Sequence, residues 1–208
     1  DNLAIDYIKA HPSCQYIFMS SGAVYGGDFE EAANNSTPAK VNINNLMPTD
    51  WYSIAKLYAE AKHRAMSDHS IVDVRVFNYF SHTQDMNARF LITDIVRAIK
   101  NKEILKTNAV NIVRDFITPP DFYRLIMFVI NSLNENFSID CYTKAPIDKF
   151  SLLKIFQKEF NLKYEIVENA GINGTGLKVN YYSKKNHSDF QPIFTSHLGV
   201  INEFKKLT

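Results

Sequence analysis

A nearly continuous apolar run, CQYIFMSS, occupies residues 14–21 and ends in two serines. Runs of this kind are typical of parallel strands whose two faces are both covered. IVDVRVF at 71–77, rich in β-branched residues, and FSIDCY at 137–142 predict further strands. Because helical patterns separate these runs, the sequence predicts an α/β fold with a mostly parallel sheet, and the later, more mixed segments predict a small lobe.

The spacing of apolar residues and the helix-start signals predict the other elements. Helices are expected at residues 2–10, 50–67, 87–102, 121–133, 149–160 and 195–207, and a further strand at 163–167. Residues 26–50 are expected to form a loop. We expect residues 1–135 to form the main sheet domain and residues 136–208 to form mainly the small lobe, with approximate boundaries and with segments that interleave.

Composition argues against nucleic-acid-binding, membrane-spanning and disulfide-rich classes of protein. The net charge of +1 gives no electrostatic reason to expect nucleic acid or an acidic membrane surface as a partner. The longest apolar stretch, at 125–130, is far shorter than the roughly 20 residues of a membrane-spanning helix. No cleavable signal pattern opens the sequence, so a cytoplasmic protein is expected. Cys14 and Cys141 supply neither a metal site nor a disulfide framework.

Tyr52 and Lys56 lie four residues apart on a predicted helix, so their side chains share one face. An ammonium beside a phenol stabilises the phenolate, which favours acid–base chemistry at that tyrosine. A serine at the end of a neighbouring strand, such as Ser21, can hydrogen-bond the same substrate oxygen. The Tyr-x-x-x-Lys spacing alone also arises by chance, but here a strand ending in serines, a loop and the helix follow in order.

Four motifs follow one another along residues 15–127. SSGAVYG, from Ser20 to Gly26, matches Ser-[Ser/Thr]-x-x-Val-Tyr-Gly, and residues 52–60 match Tyr-x-x-x-Lys-x-x-x-Glu. RVFN at 75–78 matches Arg-x-x-Asn, and RDFI at 114–117 stands before a predicted helix. In order and rough spacing these motifs resemble those of the extended short-chain dehydrogenases that act on nucleotide sugars, a family of NAD-dependent epimerases, dehydratases and 4-ketoreductases.

The resemblance implies a fold, a cofactor and partners. The fold would be the C-terminal part of a Rossmann-like doubly wound parallel sheet with a small mixed α/β substrate lobe. The cofactor would be NAD or NADP, and the substrate a nucleotide-diphosphate sugar. The resemblance also implies a homodimer through residues near 1–10 and 50–67, which are the catalytic helix and its neighbour.

The same resemblance implies roles for the matched catalytic residues. Tyr52 would be the general acid and base. Lys56 would bind the nicotinamide ribose and stabilise the Tyr52 phenolate, and Ser21 would hydrogen-bond the reacting sugar oxygen.

Binding roles are implied for four further residues. Ser20 and Phe77 would contact the cofactor, together with Tyr52 and Lys56. Asn78 and Arg114 would bind the substrate with Ser21, because a guanidinium suits bidentate contact with a diphosphate.

Two departures from the family pattern bear on which reaction and how much cofactor binding to expect. Dehydratases carry an Asp-Glu pair where this sequence has Gly22 and Ala23, so an epimerase or a 4-ketoreductase is favoured over a 4,6-dehydratase. None of the seven glycines forms the Gly-x-x-Gly-x-x-Gly turn that cradles the cofactor pyrophosphate, and GINGTG at 171–176 is expected to be a linker. We therefore expect the first three strands of the sheet to precede Asp1, and the 208 residues alone to bind dinucleotide weakly or not at all.

A non-catalytic remnant or interaction module that retains the family fold is the alternative. The presence of Ser21, Tyr52 and Lys56 together favours the enzyme. Near these motifs, Arg75 is expected to be structural, and His63, two turns beyond Lys56, is expected at the surface.

Overall fold

A computed structural model of the protein describes residues 1–27, 29–132, 135–168, 178–184, 187 and 189–207. The helices are α1 Asn2–Ala10, α2 Trp51–Arg64, α3 Leu91–Asn101, α4 Pro119–Asn131, α5 Lys149–Phe160 and α6 Ser196–Phe204. The strands are β1 Tyr16–Ser21, β2 Ile71–Val76, β3 Asn78–Tyr79, β4 Ile104–Thr107, β5 Val113–Arg114, β6 Phe116–Ile117, β7 Asn136–Asp140, β8 Ile147–Asp148, β9 Lys163–Ile166 and β10 Asn180–Tyr181.

The main sheet is parallel, in the order β1-β2-β7. Ser21 pairs with Val76 at the carboxyl ends of β1 and β2, and Arg75 pairs with Asp140. The predicted α/β fold with a parallel sheet is confirmed. Within the described ranges β1 has a strand partner on one side only, so the serines at its end lie at the edge of the sheet.

Two apolar clusters form most of the core. The first packs the main sheet against α4, through side chains such as Val72, Val74, Leu125 and Val129. The second joins α3, α5 and α6, and its largest fully buried side chains include Phe80, Phe156 and Phe204. Burial of such side chains contributes about 1.5–3 kcal/mol each relative to exposure.

The smaller sheets are mixed. Strand β5 lies between β10, which is parallel to it, and β8, which is antiparallel. Two further parallel pairs join β3 to β6 and β4 to β9. The division at residue 135 stays a prediction, and β7, which begins at Asn136, joins the main sheet.

Helix α2 carries the predicted catalytic tyrosine and lysine. The turn Pro48–Asp50 precedes it, where the Asp50 carboxylate accepts a hydrogen bond from the Met47 backbone N–H at 2.8 Å. The basic residues Lys62, His63 and Arg64 occupy its last turn, where positive charge interacts favourably with the negative end of the helix dipole.

The expectation that His63 lies at the surface is wrong. The side chain is fully buried, with Nδ1 2.7 Å from Asp73 and Nε2 2.8 Å from Asp1. Seven residues are close to two helical turns, so His63 falls on the same face of α2 as Lys56. That face packs against β1 and β2, where Asp73 gives the imidazole a buried partner.

Among the described residues, no helix combines the length and the apolar character needed to cross a membrane. The GINGTG segment lies outside the described residues.

Candidate active site

Ser21 ends β1 and begins the short 3-10 helix Gly22–Tyr25. Its hydroxyl oxygen accepts a hydrogen bond from the Ala23 backbone N–H at 3.2 Å, which caps that helix. The side chain is 6% exposed. The cap therefore holds the Ser21 hydroxyl at the carboxyl end of the sheet, where parallel α/β folds bind ligands.

Lys56 and Tyr52 lie together on α2, as the spacing predicts. The Lys56 ammonium is 5.8 Å from the centre of the Tyr52 ring and 4.5 Å from the centre of the Phe18 ring. It also donates a hydrogen bond to the Met19 carbonyl at 2.7 Å. These contacts fix the lysine between α2 and β1.

The Tyr52 side chain is 57% exposed, and no described residue hydrogen-bonds its hydroxyl. The phenol is accordingly available to an oxygen of a bound molecule. An ammonium carries three donors, so the hydrogen bond of Lys56 to the Met19 carbonyl leaves donors for ribose hydroxyls. This half of the site fits the nicotinamide and ribose of NAD or NADP.

Ser20 points in a different direction from Ser21. Its hydroxyl donates to the Glu60 carboxylate at 2.5 Å, and both side chains are buried. Glu60 also forms an ion pair with Arg75 at 2.5 Å. Ser20 thus joins β1 to α2 through Glu60, and its contact with a cofactor stays a prediction.

Arg75 continues this buried network toward β7. Its guanidinium donates to the Tyr25 hydroxyl at 2.8 Å and to the Asp140 carboxylate at 3.4 Å. The Tyr25 hydroxyl donates to Asp140 at 2.8 Å. The expected structural role of Arg75 agrees with these contacts, whereas Asp140 had no sequence signal.

Burial and the neighbouring carboxylates together set the pKa values of this network. Burial and the Asp140 carboxylate raise the pKa of Tyr25 well above its ordinary value. Burial opposes the charge of Arg75, but the Glu60 carboxylate outweighs it and raises the pKa of the guanidinium. Tyr25 therefore stays a neutral donor and Arg75 stays charged at physiological pH.

A polar cavity of about 230 Å³ lies beside this network rather than at Tyr52. Its lining includes Tyr25, Asn34, Leu57, Arg75 and Ser138. The predicted catalytic residues do not line it, so it is separate from the candidate active site.

The predicted binding residues Phe77, Asn78 and Arg114 lie around Tyr181 of β10. The Phe77 ring is 5.2 Å from the Tyr181 ring, centre to centre, and the Asn78 side-chain amide donates to the Tyr181 carbonyl at 3.1 Å. The Arg114 guanidinium is 5.8 Å from the same ring. The Tyr181 hydroxyl is 3.3 Å from the Ser21 hydroxyl oxygen.

Arg114 is 3% exposed and donates to the Val113 carbonyl at 2.8 Å. Burial lowers its pKa to about 10, so it is still a cation at neutral pH. Its contact with a diphosphate stays a prediction. Tyr181 belongs to no motif, and the pairing of β10 with β5, together with the hydrogen bond from the Asn180 backbone N–H to the Phe29 carbonyl at 2.8 Å, brings it to the site.

Comparison with known proteins identifies the family. A family model described as the NAD dependent epimerase/dehydratase family matches residues 3–140. No curated protein matches the chain.

Solved structures share the fold. The NAD complex of dTDP-glucose 4,6-dehydratase from Bacillus anthracis has a TM-score of 0.76 and 16% identity, over 97% of this chain and 64% of that chain. UDP-glucose 4-epimerase from Bifidobacterium longum, with NAD⁺ and UDP, has a TM-score of 0.71 and 19% identity, over 96% and 65%.

UDP-glucuronic acid 4-epimerase from Bacillus cereus, with NAD, has a TM-score of 0.70 and 14% identity, over 93% of this chain and 61% of that chain. At these identities the likeness shows the Rossmann-like fold alone. The chain spans less than two thirds of the length of each of these structures.

Proposed function

The chain belongs to the NAD-dependent epimerase/dehydratase family, and on that basis we propose that it serves as the catalytic part of an NAD(P)-dependent nucleotide-sugar epimerase or 4-ketoreductase. The observation that carries the proposal is the position of the Lys56 ammonium, 5.8 Å from the centre of the exposed Tyr52 ring and bonded to the end of β1. Ser21 lies at that same strand end.

The three side chains divide the proton chemistry among them. Tyr52, as a phenolate, accepts the proton of a sugar hydroxyl while the carbon that carries it becomes a carbonyl. In the reverse direction the neutral phenol returns that proton to the oxygen. Lys56 stabilises the phenolate by its charge, and Ser21 hydrogen-bonds the reacting oxygen.

Bound NAD or NADP would take up the hydride from the sugar carbon and return it. Tyr52 and Lys56 would face its nicotinamide ribose, with Phe77 near the ring. No residue of this sequence is assigned to the pyrophosphate, because the sequence contains no Gly-x-x-Gly-x-x-Gly pattern. The neighbours with NAD bound support a nicotinamide cofactor for the family.

Position 22 favours an epimerase or reductase over a 4,6-dehydratase. A Cβ atom on Gly22 would lie 2.3 Å from the Phe77 ring, so an acidic side chain does not fit there unless Phe77 moves. Ala23 carries no proton-transfer group either. Water elimination across the sugar ring therefore lacks its acid–base pair at these positions.

A homodimer through α1 and α2 is part of the proposal. The N-terminal end of α1 meets the last turn of α2, where Lys62 donates to the Asn2 side chain at 2.8 Å. Large side chains stand exposed on both helices, among them Leu3 at 87%, Trp51 at 70% and Tyr58 at 68%. A second copy would cover this apolar surface.

Tyr52→Phe in the full-length natural protein tests the function. We expect turnover of nucleotide-diphosphate sugars to fall at least about 100-fold, because the variant keeps the ring and loses the proton carrier. Tyr123→Phe is the control, since Tyr123 is 65% exposed on α4. An unchanged rate in Tyr52→Phe would remove Tyr52 from the mechanism. Absence of turnover by the wild type would favour the non-catalytic interaction module.

A further inference from the structure

Tyr181 contacts the candidate active site from the opposite end of the chain. It lies on β10, 160 residues from Ser21, and its side chain is 4% exposed. Its ring packs edge-on against Phe29 at 4.8 Å and at a tilt of 55° against Phe77 at 5.2 Å, centre to centre. These two aromatic rings fix the direction of the phenol, whose hydroxyl reaches the Ser21 oxygen at 3.3 Å.

The two tyrosines of the site differ in their surroundings. Tyr52 is 57% exposed, whereas Tyr181 is buried. Burial raises the pKa of Tyr181 to about 12 and outweighs the hydrogen bond with Ser21, which lowers it. Tyr181 therefore keeps its proton at neutral pH, and a phenolate that forms at Tyr52 makes ionisation of Tyr181 still less favourable. The buried phenol is thus placed to donate a hydrogen bond within the protein, and the exposed phenol to reach a bound molecule.

The direction of the Ser21 proton depends on which groups donate to the Ser21 oxygen. A serine hydroxyl has two acceptor positions and one proton. The Ala23 backbone N–H occupies one acceptor position at 3.2 Å. If the neutral Tyr181 phenol donates to the other, the Ser21 proton remains available to an incoming oxygen.

We propose that Tyr181 is a positioning residue for Ser21: its phenol donates to the Ser21 oxygen and leaves the serine as a hydrogen-bond donor to the reacting sugar oxygen. A donor is the group that a sugar carbonyl or a developing alkoxide needs, because both are acceptors. This inference rests on the proposed function. It adds a residue outside the motifs, held by a strand of the smaller sheets.

Strand β10 also contacts a predicted substrate-binding residue through Tyr181. Asn78 donates to the Tyr181 carbonyl at 3.1 Å, and the Lys178 ammonium is 4.6 Å from the centre of its ring. A movement of β10 would therefore change the hydrogen bond between Tyr181 and Ser21 and, at the same time, the position of the Asn78 side chain. The positioning of Ser21 therefore depends on β10, a strand within residues 136–208.

A double-mutant cycle in the full-length natural protein tests the proposal. The variants are Tyr181→Phe, Ser21→Ala and both together, with Tyr182→Phe as the matched control on the next residue. We expect Tyr181→Phe to lower kcat about 10-fold, the effect of one lost hydrogen bond, with little change in KM. In the Ser21→Ala background the same change should alter kcat by less than about twofold, because Tyr181 acts through Ser21.

Each outcome has one meaning. The proposal is supported if the wild type turns over and if Tyr181→Phe lowers kcat in the wild-type background but not in the Ser21→Ala background. Wild-type turnover with an unchanged Tyr181→Phe rate, or with equal losses in both backgrounds, overturns it and leaves the proposed function standing. No wild-type turnover overturns both. Thermal unfolding of each variant shows whether the protein is folded, and Tyr182→Phe should retain wild-type kcat.

Discussion

Ser20 and Ser21 are neighbours in sequence, and their hydroxyls have different partners. Ser20 donates to Glu60 in the buried network, while Ser21 faces Ala23 and Tyr181 at the strand end. The alternation of side chains along a strand produces this division. The sequence predicted Ser21 at the site, because a serine at a strand end is a local signal. It could not predict Tyr181, whose contact depends on the pairing of β10 with β5.

The raised pKa of Tyr181 predicts a dependence of stability on alkaline pH. The unfolded tyrosine loses its proton near pH 10 and the folded one near pH 12, so the stabilisation is complete below pH 10 and is lost as pH rises through this interval. The loss from this group amounts to about 3 kcal/mol. Urea unfolding of the wild type and of Tyr181→Phe between about pH 9 and 12 measures it.

The variant should show a shallower fall of the free energy of unfolding with pH than the wild type. Equal slopes in the two proteins would contradict the burial of the Tyr181 phenol. This measurement uses the 208-residue chain and does not require turnover.

At the scale of elements, α2 presents Lys56, Glu60 and His63 on one face to β1 and β2. Helical periodicity predicted the helix and the shared face of Tyr52 and Lys56. The prediction for His63 failed because Asp73, on a different element, supplies its buried partner. Periodicity gives the face of a residue, whereas the partner depends on the register of a strand that is distant in sequence.

Glu60→Gln tests the buried network that joins α2 to the sheet. We expect the free energy of unfolding to fall by about 3 kcal/mol, because the buried Arg75 guanidinium loses its ion-pair partner. Lys184→Ala is the control, since Lys184 and Glu31 are largely exposed and 3.9 Å apart, and its effect should stay within about 0.5 kcal/mol. Urea unfolding measures both, and equal effects would show that the network does not stabilise the fold.

At the scale of the whole molecule, the two apolar clusters draw on interleaved segments of the chain. Phe80 and Phe116 belong to one cluster, and Ile117 to the other. The alternation of strands and helices predicted the parallel sheet β1-β2-β7. The short strands β3, β8 and β10 have two residues each and carry no periodicity from which they could be predicted.

The exposed surface of α1 and α2 predicts a concentration-dependent dimer. Leu3→Glu combined with Tyr58→Glu should give a monomer, because both changes place charges on apolar side chains that a second copy would cover. Sedimentation velocity of the full-length natural protein measures the change. Tyr123→Glu on α4 is the control and should leave the dimer intact. A dimer that persists in the double variant would place the interface elsewhere.

The central claim is that Tyr52 exchanges a proton with a sugar oxygen while hydride moves between the sugar and a nicotinamide cofactor. The most direct measurement follows deuterium from C4 of a labelled nucleotide-diphosphate sugar, with the full-length natural protein and NAD or NADP, by mass spectrometry. The account predicts that the wild type transfers deuterium to the reduced cofactor or retains it at C4 of the product. In Tyr52→Phe this transfer should be lost. Release of the deuterium to water, or equal transfer by Tyr52→Phe, would contradict it.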